Sequence, residues 1–229
     1  MPKTAFPLRV KAVAIDLDGT MLDTVEDLAI AVNMMLERLG RPPLDQARVR
    51  NFVGKGINNL VERALVGAME GKPDAALYER ALPIYMACYD EVNGRHTTIY
   101  PQVREGLNAL KSAGFPLACV TNKSARYTLP LLAQMKLDTY FSLVVSGDTL
   151  PKKKPDPMPL THVAGKFGIP TAELLMIGDS LNDAEAARAA GCPIFCVGYG
   201  YNEGADVRSL DVDAIVETIV DASRLITRS

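Results

Sequence analysis

Hydrophobic and polar positions follow two different periods along this chain. The apolar run Val10–Asp16 ends in a carboxylate and predicts a strand. In Thr24–Leu39, Leu28, Val32, Met35 and Leu39 share one helical face; Thr24 is placed to cap it, and Gly40 with Pro42-Pro43 to stop it. From Asp45 to about Asp90 the signals are helical only. Ile57, Leu60, Val61, Ala64 and Leu65 form one face, and Leu77, Ala81, Tyr85, Met86 and Tyr89 another, with Pro83 expected to kink or interrupt the second helix. After Tyr100 the pattern alternates. Helices are predicted at Val103–Ala113, Ala125–Met135 (with Pro130 as a misfit), Pro157–Phe167 and Leu181–Ala190. Strands are predicted at Leu117–Thr121, Leu143–Ser146, Leu174–Ile177 and Ile194–Val197.

Strands alternating with helices at this spacing predict an α/β fold: a Rossmann-like, doubly wound parallel sheet with helices on both faces. The purely helical block interrupts it after the first strand. The expected division is a core of residues 1–22 and 95–229 with an inserted helical cap at 23–94, and Asn93-Gly94 as the second hinge. The length agrees, since 229 residues is too long for one typical domain of about 150 and too short for two.

Composition narrows the function classes. The chain has 25 Lys+Arg against 27 Asp+Glu, a net charge of −2, so no basic footprint for nucleic acid is expected. Neither Ala12–Ile15 nor Leu174–Ile177 approaches the ~20 apolar residues of a membrane helix. The start, Met1-Pro2-Lys3-Thr4-Ala5-Phe6-Pro7, carries no apolar leader. Cys88, Cys119, Cys192 and Cys196 are too scattered for a disulfide framework, so reduced thiols and a cytoplasmic location are expected.

The short apolar runs each end in chemistry-bearing residues. The first ends in Asp16-Leu17-Asp18-Gly19-Thr20, the second in Thr121-Asn122-Lys123, and the Leu174 run in Gly178-Asp179-Ser180, with Asp183 four residues further on. Ligands of a doubly wound sheet bind outside the carboxyl ends of its strands, so these residues are expected to share one crevice. Lys154 precedes Pro155-Asp156-Pro157, a rigid entry that could bring its ammonium there. Converging carboxylates repel and require a cation; all-oxygen ligands suit Mg²⁺ with room for a phosphate. The lysine, hydroxyl and amide suit phosphate oxygens, and the turn at Gly19 could offer backbone N–H groups to an anion. The combination fits phosphoryl transfer through an aspartyl-phosphate.

Asp16-Leu17-Asp18-Gly19-Thr20-Met21-Leu22-Asp23-Thr24 resembles the first motif of the haloacid dehalogenase superfamily. Thr121 is similar to its second motif, Lys154 to its third, and Gly178-Asp179-Ser180-Leu181-Asn182-Asp183 to its fourth, in family order. The resemblance implies Asp16 as nucleophile and Asp18 as general acid, then base, holding a proton at neutral pH. It implies Mg²⁺ on Asp16, the Asp18 carbonyl and Asp179, with Thr121 and Lys154 on the phosphoryl group. Asp183 and Asn122 would give support, and the substrate would be a small phosphorylated metabolite. Within the superfamily the chain is most similar to the bacterial phosphoglycolate phosphatase group, through Thr121-Asn122-Lys123, Gly147-Asp148-Thr149-Leu150, Tyr199-Gly200-Tyr201-Asn202 and the cap segments Val53-Gly54-Lys55-Gly56, Leu60 and Arg63-Ala64-Leu65. It departs at Gln102, where Gly is expected after Tyr100-Pro101, and at Gly198, where Thr is usual. Substrate contacts are expected from Gly19, Asn122 and Lys55, the last reaching a second anion such as a carboxylate.

Structural readings stand beside these. Asp183 could cap the following helix, and Lys152 and Lys153 read as a solvated charge run. His96 and His162 read as surface or satisfied histidines, Cys192 and Cys196 as buried thiols, and the methionines as packing residues. Rival functions are a phosphatase or phosphomutase for another metabolite, a phosphonate hydrolase, a dehalogenase, and a non-enzymatic phospho-receiver. A dehalogenase does not need the Asp18 acid, and a receiver carries no helical cap.

Overall fold

The computed structural model describes residues 6–228; Met1-Pro2-Lys3-Thr4-Ala5, read above as lacking an apolar leader, lies outside them. In chain order the elements are β1 (Leu8–Val10), β2 (Ala12–Ile15), β3 (Leu22–Asp23), α1 (Val25–Arg38), α2 (Gln46–Phe52), α3 (Ile57–Val66), α4 (Ala75–Val92) and β4 (Thr98–Ile99). They continue with α5 (Val103–Ser112), β5 (Leu117–Val120), α6 (Ala125–Gln134), β6 (Leu143–Val145), α7 (Met158–Phe167) and β7 (Leu174–Gly178). The chain closes with α8 (Leu181–Ala190), β8 (Ile194–Val197), β9 (Ala214–Val216), α9 (Ile219–Arg224) and β10 (Ile226–Arg228).

Six of the strands form one sheet in the order β6-β5-β2-β7-β8-β9, with every pairing parallel. Strand β2 lies between β5 and β7, with Val13 opposite both Leu117 and Leu175. All four residues of β2 are buried, and the period of two sends them to different layers. Val13 and Ile15 pack with Leu107 of α5, Leu131 of α6 and Ile219 of α9. Ala12 and Ala14 pack on the other face with Leu160 and Val163 of α7 and Ala187 of α8. A strand buried on both faces reads as a continuous apolar run, which is why these strands were legible.

The sequence reading needs four corrections. The first strand is two pieces: Lys11 separates β2 from β1, and β1 pairs with β10. The last two strands and α9 were not anticipated, because their runs of three to six residues are too short for a period to show. Helix α4 runs unbroken through Pro83, and α6 through Pro130. Burying Tyr85, Tyr89, Cys88 and Val92 at ~1.5–3 kcal/mol for each large side chain outweighs the ~3 kcal/mol penalty of an interior proline. Finally, Thr24 occupies the N-cap position of α1 without making the cap bond; its Oγ1 donates to Asp18 Oδ1 instead.

Helices α1 to α4 enclose a separate apolar core that includes Val32, Met35, Phe52, Leu60, Val61 and Tyr85, and takes in Tyr127 and Tyr201 from outside the four helices. Two chain segments join this unit to the sheet, and they pair as the antiparallel β3–β4 ribbon, Leu22 opposite Ile99. The buried Asp27 carboxylate fastens the second segment. It accepts hydrogen bonds from Gly94 N at 2.9 Å, His96 N at 2.9 Å, Thr97 N at 3.2 Å and Thr97 Oγ1 at 2.6 Å. No helix among the described residues is long and apolar enough to cross a membrane.

Gln102 has φ +60°, the left-handed region, which accounts for the glycine expected there. Gln102→Gly should therefore stabilise the protein by about 0.5–1 kcal/mol in urea titration. Asp27→Ala should destabilise it by about 2–4 kcal/mol, because it strands buried N–H donors at the ribbon.

Candidate active site

The site forms where three adjacent strands end. Asp16 follows β2 and its backbone N–H donates to Ile177 O at 2.9 Å. Thr121 follows β5, and its N–H donates to Val145 O at 2.9 Å. Asp179 follows β7. Parallel register thus brings together residues that are far apart in sequence. Lys154 enters from the loop before α7 and is 2 % exposed. Its Nζ lies 2.8 Å from Asp16 Oδ1 and donates to Asp183 Oδ1 at 2.6 Å and Val120 O at 2.8 Å.

Asp183 has both expected roles. Its Oδ2 accepts from Asp179 N, Ser180 N and Ser180 Oγ, closing a capping box on α8, while Oδ1 takes Lys154. With both oxygens committed, it supports the site. Asp179 is clamped as well, by Thr20 Oγ1 on Oδ1 at 2.7 Å and Tyr201 N on Oδ2. Backbone crowds it so closely that a Cβ on Gly19 or Gly200 would stand 2.3 or 2.2 Å from Asp179 Oδ2.

Burial pushes the Asp16 carboxyl up to about 7; Lys154 pulls it down and Asp183 adds to the rise. Burial, then Asp183 and Asp16, raise Asp179 well above the carboxylate range. Burial opposes the charged Lys154, but Asp16 and Asp183 overcome that and hold its ammonium firmly protonated. One ammonium therefore faces three carboxylates whose oxygens lie within 4.8 Å of one another. A buried all-oxygen set with this surplus of negative charge fits a hard divalent cation. Asp16 and Asp179, with the nearby backbone, are the residues that could hold it.

Asp18 Oδ1 accepts from Thr24 Oγ1 at 2.7 Å and Lys123 Nζ at 3.2 Å, while Oδ2 has no hydrogen-bond partner among the described residues. Asp16, Asp18, Thr121, Asn122 and Lys123 floor a cleft of about 50 Å³, roofed by Leu28, Val53, Ile57, Leu60 and Tyr89 of the helical unit. Charge comes from below and apolar surface from above.

The three residues expected to contact substrate all bond protein groups, and of them Asn122 lines the cleft. The Lys55 side chain points at Glu203, 3.4 Å away, and only its neighbours Gly54 and Gly56 line the cleft. The Gly19 N–H is spent on Leu22 O at 2.9 Å, closing its own turn. Asn122 Nδ2 donates to Gly54 O at 2.9 Å and Lys154 O at 2.8 Å, so it ties the roof loop to the lysine loop. Lys153 is not simply solvated either: its Nζ donates to Lys55 O at 2.7 Å.

Several site residues had no separate sequence signal. Lys123 and Tyr201 lay inside quoted motifs without a role. Arg63 lay inside a quoted cap segment without a role and Arg50 in none, yet Arg50 donates to Tyr199 O and Gly200 O and sits 4.6 Å from the Tyr201 ring centroid. Arg63, 5 % exposed, reaches Glu203 at 2.8 Å. These contacts tether the helical unit to the loop that clamps Asp179.

A buried acid cluster at the carboxyl end of a doubly wound parallel sheet, roofed by a helical unit, is the arrangement of a hydrolase family. The family profile of haloacid dehalogenase-like hydrolases matches residues 13–197, and the chain belongs to that family. It is 56 % identical over 224 residues to a phosphoglycolate phosphatase of Nitrosospira multiformis, covering 98 % of this chain and 99 % of that one. It is 49 % identical over 225 residues to a phosphoglycolate phosphatase of Thiobacillus denitrificans, at 98 % and 99 % coverage. Among solved structures it is similar to a predicted phosphoglycolate phosphatase from Haemophilus somnus, with TM-score 0.88 and 33 % identity, over 93 % of this chain and 96 % of that one.

The raised Asp16 gives a pH test. Between the ordinary 3.8 and about 7 the native state keeps a proton that the unfolded chain has released. Its contribution is therefore full below about pH 4 and is lost as pH rises through about 7. In chelator, the stability of wild type relative to Asp16→Asn should fall across that window, read by urea titration at each pH. A flat difference would contradict the assignment.

Proposed function

We propose that the chain is a Mg²⁺-dependent phosphomonoester hydrolase that forms an aspartyl-phosphate on Asp16 and takes 2-phosphoglycolate as substrate, giving glycolate and phosphate. The observation that carries this is the Asp16–Lys154–Asp183 ion cluster, whose Asp16 lies on the floor of a small, apolar-roofed cleft. Full-length likeness to phosphoglycolate phosphatases supports the substrate.

The residues take roles that follow from their positions. Asp16, the Asp18 carbonyl and Asp179 would hold the metal ion, which would supply positive charge against the carboxylates and the phosphate. An Asp16 oxygen attacks phosphorus as the bond to the leaving oxygen breaks. Asp18, with Oδ2 unencumbered, gives its proton to that oxygen and then takes one from the water that cleaves the aspartyl-phosphate. Lys154 pulls the Asp16 carboxyl toward its ionised form against burial and, with the Thr121 hydroxyl, balances the transferring phosphoryl group. Residues 23–94 act as the cap, whose apolar face excludes bulk water. The cleft of about 50 Å³ favours a two-carbon leaving group over a nucleoside. The enzyme is assigned to the cytoplasm, where the four buried thiols stay reduced.

Asp16→Asn should lower kcat on both p-nitrophenyl phosphate and 2-phosphoglycolate by about 10³-fold or more while the protein remains folded. EDTA should abolish wild-type turnover and added Mg²⁺ restore it. Across 2-phosphoglycolate, sugar phosphates, nucleotides and pyrophosphate, kcat/KM should be highest for the first. Near-wild-type turnover by Asp16→Asn rules out the nucleophile, and a nucleotide or sugar phosphate in first place rules out the substrate.

A further inference from the structure

Lys154 lies behind the cleft floor, paired with Asp16 and Asp183. The cleft walls include Leu28, Val53, Ile57, Leu60 and Tyr89, and among the described residues the single cationic side chain lining it is Lys123. It is 5 % exposed, directly after Thr121 and Asn122. Its ammonium donates to Asp18 Oδ1 at 3.2 Å and to the Tyr89 hydroxyl oxygen, and lies 4.9 Å from the Tyr89 ring centroid. An ammonium carries three N–H donors, and among the described residues the third has no acceptor. The Tyr89 hydroxyl accepts from Lys123, so its own hydrogen is free to donate beside that third N–H. Two donors, one from the loop after β5 and one from α4, thus lie side by side at the cleft wall, with no further acceptor for them among the described residues. Leaving such donors unmet costs free energy, and an anionic oxygen on a ligand removes that cost. Lys55, the lysine expected to fill this role, is held outside by Glu203.

We propose that Lys123, with Tyr89, is the specificity-determining site for a carboxylate on the leaving group of the substrate. The inference rests on the phosphoglycolate reading and supplies the recognition that reading lacks: phosphomonoesters with an anionic group a short carbon chain from the ester oxygen are selected over neutral ones. The small apolar roof sets the length, and Lys123 sets the charge.

The test compares 2-phosphoglycolate with 2-hydroxyethyl phosphate, its neutral analogue, in full-length wild type, Lys123→Gln and Lys123→Arg at saturating Mg²⁺. The ratio of the two kcat/KM values should fall by about 10- to 100-fold in Lys123→Gln, chiefly through KM for 2-phosphoglycolate, and Lys123→Arg should recover most of it. Calorimetric titration with 3-phosphonopropanoate and propylphosphonate should show the same change in selectivity without turnover. Should Lys123→Gln fail to fold, NMR of the lysine Nζ–H groups of wild type decides the matter: 3-phosphonopropanoate should shift the Lys123 signal, and propylphosphonate should not. Equal losses on both substrates, or a Lys123 signal that responds alike to both phosphonates, would overturn the proposal by showing that Lys123 acts only through Asp18. A wild type with no preference for 2-phosphoglycolate over 2-hydroxyethyl phosphate refutes the substrate reading itself. A preference that survives in Lys123→Gln refutes only the role of Lys123.

Discussion

The structure turns on one buried interaction: the Lys154 ammonium between Asp16 and Asp183, with Asp179 beside them. Removing charges from water costs several kcal/mol per ion, and a single ammonium does not balance three carboxylates. The fold tolerates the excess by constraining each group. Asp183 is absorbed by the start of α8, Asp179 by Thr20 and Tyr201, and Lys154 by the Val120 carbonyl. Asp16, paired with Lys154 but held by no side-chain clamp of the kind that fixes Asp179 and Asp183, is the member left free to act as a nucleophile. The same constraint forbids a Cβ at Gly19 and Gly200, because the space belongs to Asp179.

The four-helix unit is fastened to this cluster from two sides. At the ribbon, Asp27 collects the N–H groups of Gly94, His96 and Thr97. At the roof, Arg50 and Arg63 grip residues 199 to 203, and Tyr201 passes that grip to Asp179 through its backbone N–H. Tyr201 also accepts from Thr24 N and donates to Asp23, so one residue touches the ribbon, the roof and the acid cluster. Closure of the roof and placement of the Asp179 carboxylate therefore share a physical path.

Legibility in the sequence followed burial. Strands β2, β5, β7 and β8 are buried on both faces and read as apolar runs; β9 and β10 are three residues each at the margins and left no period. Asp16, Asp18, Asp179 and Lys154 were found because each sits at a strand end or a rigid proline entry. Gly19, Asn122 and Lys55 bond protein groups in this structure for a common reason: residue type shows what a group can bond, not which partner reaches it first. Leu22 O, Gly54 O and Glu203 are those partners. Gln102 shows the converse, since the glycine expected there marked a left-handed backbone that the chain keeps with a side chain attached.

The cleft divides its work by origin. Each residue of the four-helix unit that lines it is apolar or glycine except Tyr89, and each charged one comes from the sheet. Ionic groups at strand ends are held by a hydrogen-bonded lattice that register fixes, so they can meet charge at defined distances. Helices α1 to α4 are held to that lattice by two short segments and a few side chains, and they supply shape, which tolerates small displacements better than an ion pair does. Such an arrangement places charge recognition with the rigid element and size recognition with the attached one. The Lys123–Tyr89 contact is where the two meet.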